Sequence, residues 1–180
     1  MKIKNTRIFK CFLAFIVTLF MLLVGQILWQ NYGVNMPLEK SLQSIDGVKN
    51  IVWNKNSKIA EPAQIEVTLG NVANIQKTYK EIHQKSGKVL GVRPYNIIIK
   101  DNRTPELENI YNDINYYVQK AISDGDFPLL AQKTEDIAKQ VGVSAEVFVD
   151  EQYVYIQLNK EDTSLYMVAL RYSNGIGGNK

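Results

Sequence analysis

One cysteine and one histidine serve a chain of 180 residues, and that scarcity removes much familiar chemistry. Cys11 opens an apolar run, so no cysteine remains downstream for a disulfide framework. With His83 as the lone imidazole, zinc held by the usual nitrogen and sulfur ligands is excluded in a monomer. A Ser-His-Asp or Cys-His site would also need His83. It sits beside Ile82 in a helical pattern over 72–86, where a boundary position on an amphipathic helix accounts for it. No glycine-rich phosphate loop is present. Gly175, Gly177 and Gly178 follow the last strand pattern, with no helix after them.

A basic binding surface is missing as well. The formal charge is +3, but four of the 21 Lys and Arg (Lys2, Lys4, Arg7 and Lys10) fall in the first ten residues. The remaining 17 face 18 acidic residues, leaving the rest of the chain near −1. No basic stripe interleaved with aromatics occurs, so nucleic acid is not expected as a partner. The acidic residues do not assemble into a recognisable metal loop. Asp124 with Asp126, Asp150 with Glu151, and Glu161 with Asp162 each stand at a turn, where carboxylates are common. None has EF-hand spacing. Paired carboxylates could cleave a glycosidic bond, but no pair is flanked by an aromatic subsite cluster. No catalytic residue, cofactor or metal is expected, and the chain reads as a non-enzyme.

What is present begins with residues 11–29, CFLAFIVTLFMLLVGQILW, an apolar run with a single polar amide, Gln26. Nineteen helical residues at ~1.5 Å each match the ~30 Å hydrocarbon core of a bilayer. The run is too long for a typical signal-peptide core, and Leu23-Val24-Gly25 is a poor cleavage site. The basic residues before it predict a cytoplasmic N-terminus. The expectation is therefore a single-pass signal-anchor protein of the cell membrane, its bulk extracytoplasmic.

The remainder predicts an α+β fold in two small modules. Residues 1–10 form a basic tail and 30–36 a linker, with one module over 37–101, a second over 102–173, and a tail over 174–180. In the first, Leu38, Leu42 and Ile45 recur at helical spacing and Gly47 ends the helix. Strands follow at Val48 to Asn54 and at Ile65 to Leu69. Asn71 is the predicted cap of a helix carrying Val72, Ile75, Tyr79 and Ile82, closed by Gly87. Tyr95 to Lys100 is the third strand, making αββαβ. In the second, Thr104-Pro105-Glu106 starts a long amphipathic helix. SDGDFP breaks it, and another helix runs to Gly142. Strands at 143–149, 153–158 and 164–172 complete ααβββ. The helix–Gly-Val–strand–turn–strand order at Leu42 to Leu69 repeats at Ile137 to Leu158.

The pattern Leu38, Leu42, Ile45, Gly47-Val48, Ile51, Trp53, Ile65 to Leu69 and the helix from Val72 resembles the ring-building domains of secretion-ring and sporulation-channel membrane proteins. It covers about a third of the chain. The resemblance implies a structural or assembly role and no catalytic residues.

Tyrosine supplies the most suggestive surface. In Tyr153-Val154-Tyr155-Ile156 the tyrosines take one face of a strand and the aliphatics the other. If the helix over 104–123 covers that face, the tyrosines are core. If not, Tyr153 and Tyr155, with Trp53, are candidate interaction residues. These features predict an assembly or scaffold component of an envelope complex, bound to a protein partner or to itself. The alternative is an extracytoplasmic ligand-binding or cell-wall-binding sensor domain.

Overall fold

The computed structural model describes residues 3–30, 36–54 and 62–171. In chain order the elements are α1 (Ile3–Gln30), α2 (Met36–Gln43), β1 (Val48–Asn54), β2 (Ala63–Leu69), α3 (Ile75–Leu90) and β3 (Tyr95–Lys100). There follow α4 (Pro105–Asp124), α5 (Phe127–Gln140), β4 (Ser144–Val149), β5 (Tyr153–Lys160) and β6 (Thr163–Leu170). The strands form two three-stranded sheets, β1-β2-β3 and β4-β5-β6. β1 is antiparallel to β2, whereas β2 and β3 are parallel and joined through α3. The second sheet is antiparallel throughout.

The first sheet buries alternate residues. Ile65, Val67 and Leu69 of β2 are inaccessible and meet Leu38 and Leu42 of α2 and Ile75, Tyr79 and Ile82 of α3. α3 begins at Ile75, with Asn74 as its cap accepting from the Lys77 nitrogen at 2.9 Å. Asn71 lies before the turn that leads into the helix. The helix also passes through Gly87 and stops at Gly91. The extra turn is held because Val89 and Leu90 pack against the core. A side chain at Gly87 would crowd the Tyr95 hydroxyl.

The second sheet is covered on both faces. Val154, Ile156 and Leu158 of β5, with Leu165 of β6, pack against Leu107, Ile110, Ile114 and Val118 of α4 and Leu130 and Ala138 of α5. The opposite face carries Tyr155 and Tyr166, which belong to the core of the first sheet. α4 thus packs on the aliphatic side, and the tyrosine side meets α3 and the loop before it. One sheet serves two cores.

α1 requires a correction. The large apolar side chains of α1 from Phe12 to Val24 are exposed. Among the described residues no helix is long and apolar enough to cross a membrane. The expected transmembrane helix over 11–29 is therefore not supported. The single-pass, signal-anchor and cell-membrane assignments fall with it, as does an extracytoplasmic bulk. The side chains of Cys11 and residues 27–29, part of that expectation, lie outside the described ones, as do the linker residues 31–35, Tyr172 and the tail over 174–180. Among the described side chains, neither core includes a residue of α1.

Candidate functional site

The tyrosine face comes together because strand and helix periodicities meet there. β5 presents Tyr153 and Tyr155 at every second residue, and α3 lays Tyr79 across them. The Tyr79 ring lies 5.4 Å from that of Tyr153 and 5.8 Å from that of Tyr155, both edge to face. Tyr153 and Tyr155 are 6.0 Å apart. Such edge-on contacts between rings stabilise by about 0.5–1.5 kcal/mol beyond the area they bury.

Asp150 organises the polar end of this cluster. It sits in the β4–β5 turn and folds its carboxylate over the next residues, the usual Asx habit. Oδ1 accepts from the nitrogens of Gln152 at 2.9 Å and Tyr153 at 2.8 Å. Oδ2 accepts from the Tyr155 hydroxyl at 2.9 Å and from Lys80 Nζ at 3.0 Å. Burial opposes the charge, but the two backbone donors, Lys80 and the Tyr155 hydroxyl outweigh it and hold the carboxyl well below its ordinary range. Burial also pushes the Tyr155 hydroxyl far above its ordinary value, reinforced by the bond to Asp150. Tyr79 is raised by burial and then by its tyrosine neighbours. These phenols stay neutral at neutral pH and act as donors and apolar walls, not as bases.

A cavity of about 290 Å³ opens beside the cluster, walled by Tyr79, Tyr153 and Tyr155 with Lys80, Gln84 and Asp150 on its rim. Tyr79, His83 and Tyr153 are shared with a second cavity of about 280 Å³, which extends between β3 and β6. His83 is on the exposed side of α3, its ring 5.4 Å from that of Tyr95. The Tyr95 hydroxyl donates to the His83 carbonyl at 3.0 Å.

Of the three residues singled out for interaction, the structure brings two together. Tyr155 is inaccessible and Tyr153 is half-buried beside it. Trp53 lies apart on β1, at the far edge of the first sheet, under the Arg93 guanidinium at 5.6 Å. The turn carboxylates also separate by role. Asp124 pairs with Lys120, Asp126 caps α5, and Glu161 takes a left-handed backbone angle in the β5–β6 turn. Among the described residues no group of three or more His, Cys, Asp or Glu is placed to hold a metal ion.

Sequence reasoning missed a side chain that ties the second sheet to α3 and the loop before it. Gln157 is buried in β5, accepting from the Ile75 nitrogen and donating to the Val72 carbonyl, both at 2.9 Å. The only local signal was a glutamine at the buried spacing of a tyrosine strand. No family model, curated protein or solved structure matches the chain.

Proposed function

We propose that the protein is a non-catalytic assembly or scaffold component that acts by holding a protein partner or another copy of itself. The supporting observation is α1. Phe12, Phe15, Phe20, Met21 and Leu22 each expose more than half of their surface, and neither core of the chain claims them. Contiguous exposed apolar surface on this scale marks a site completed by something other than the chain itself. The body from α2 to β6 is suited to present such a contact, because its two sheets are locked through buried hydrogen bonds and a shared core.

The test is cross-linking of the full chain, dispersed in a mild non-ionic detergent, over increasing protein-to-detergent ratios. Discrete intermolecular products that grow with the ratio are expected. Only intramolecular cross-links at every ratio would overturn self-association.

A second reading, ligand binding, is favoured by the cavity of about 290 Å³ at Tyr79, Tyr153 and Tyr155. Its mixture of ring faces, amides and one ion pair suits a small polar ligand with an apolar side.

A further inference from the structure

The edges of the two sheets face each other across the cavity between β3 and β6, and they are treated unequally along their length. In β6 the even-numbered residues turn their backbone groups away from β5. The chain itself satisfies the first two of these donors. The Ser164 nitrogen donates to Asn102 Oδ1 at 3.0 Å and the Tyr166 nitrogen to Asp101 Oδ2 at 2.8 Å. Asn102 also donates to the Asp162 carbonyl at 2.7 Å. The Asp101 side chain is 2% exposed, and Arg103 grips it through Nε at 2.8 Å and Nη2 at 2.9 Å. This segment therefore imitates a neighbouring strand, and it ends at Tyr166.

The next two outward nitrogens on β6, those of Val168 and Leu170, have no hydrogen-bond partner among the described residues. On β3 the Pro94 carbonyl accepts from Ala63 at 2.9 Å, which sets even residues toward β2 and turns Tyr95, Ile97 and Ile99 outward. The Ile97 and Ile99 nitrogens likewise have no partner among the described residues. Asn96 and Ile97 on one side and Val168 and Leu170 on the other line one cavity of about 280 Å³, with Tyr79 and Tyr153 also in its wall. The segment after β3 is tied to β6 through Asp101 and Tyr166, and the cavity lies beyond that tie, beside Tyr95 and Leu170.

We infer that this cleft receives an extended peptide segment of a protein partner, which adds as a strand to the open edges of β6 and β3. The inference rests on the assembly reading and names its site. A backbone is the occupant that offers donors and acceptors at strand spacing to both walls, the basis of β-strand addition. Alternate side chains of such a strand point to one face, where Tyr79 and Tyr153 offer ring faces to an apolar residue. Left bare, unpaired edges of this kind are an association liability. The stretch over Asp101 and Asn102 shows how the fold blunts them where no partner is meant to enter.

The test uses the full chain in mild detergent as bait for a displayed library of random peptides. Binders are then measured by hydrogen exchange and fluorescence anisotropy. Two variants leave the ladder to β5 intact: Leu170→Pro removes an outward donor, and Asn96→Trp fills the cleft from an exposed position. The expected result is binders that slow exchange at Ile97, Ile99, Val168 and Leu170 and lose about tenfold or more in affinity in both variants, a loss equivalent to ~1.4 kcal/mol. An absence of binders, protection elsewhere, or full-strength binding to both variants would overturn the cleft. Should the chain still associate with itself in that case, the assembly reading survives without the cleft. Binders at the cleft of a chain that never self-associates would support the cleft and remove only the self-association branch.

Discussion

The Tyr166 hydroxyl stands 3.0 Å from the Val72 nitrogen, from which it accepts, and donates to the Gly70 carbonyl at 2.9 Å. A side chain of the last strand thus completes the backbone of the loop between β2 and α3. Gln157, its cross-strand neighbour, does the same for Val72 and Ile75. All four bonds are buried, so their loss leaves polar groups unmatched in the interior.

Tyr166→Phe is expected to destabilise the fold by roughly 2–4 kcal/mol, since it orphans one buried donor and one buried acceptor at about 1–3 kcal/mol each. Gln157→Leu should cost a similar amount. The two act on the same loop, so their effects should fall short of additive. Urea unfolding of the single and double variants gives the coupling. Strict additivity would mean that the loop does not move as a unit.

Asp150→Asn is expected to cost about 2 kcal/mol at neutral pH, because a charged acceptor for Lys80 and Tyr155 is replaced by a neutral amide. The folded carboxyl is held below its ordinary pKa. Its contribution is therefore fully present above about pH 3.9 and is lost as pH falls through the lower folded value. The stability gap between wild type and variant should narrow on acidification. A gap that stays constant from neutral pH to about pH 2 would contradict this assignment.

Gly47→Ala should be worse than Gly142→Ala. Both glycines precede a strand at a Gly-Val junction and both have left-handed backbone angles, φ 82° and φ 69°. A methyl group at Gly47 would run into the Val72 side chain, whereas at Gly142 no described atom lies within 4 Å. The expected costs are roughly 2–4 kcal/mol at Gly47 and about 1 kcal/mol at Gly142, read as shifts in thermal unfolding. Equal costs would show that the loop at Val72 yields readily.

Local patterns were legible because local physics decides them. Thr104-Pro105 starts α4, and Leu107, Ile110, Ile114 and Val118 form its buried stripe. The turn at Asp150 and the two-faced pattern of β5 could likewise be read along the chain. Relations between distant segments could not. Periodicity showed that one face of β5 carries tyrosines, but not that α3 would cover it and α4 the other. Gln157 looked like an ordinary polar residue because its partners stand more than eighty positions earlier. Asn71 and Asn74 are equally good caps by type, and the choice fell to Asn74 as Tyr166 and Gln157 hold the loop before it. The apolar run over 11–29 was plain, yet its length did not establish a membrane span.

The most direct test is the mass of the protein by light scattering over a wide concentration range, for the full chain in mild detergent and for residues 31–180 in buffer. The account predicts that the full chain forms oligomers of defined stoichiometry that grow with concentration, while residues 31–180, without the apolar surface of α1, stay monomeric. A full chain that remains monomeric throughout would contradict self-association through α1 and leave only a heterologous protein partner.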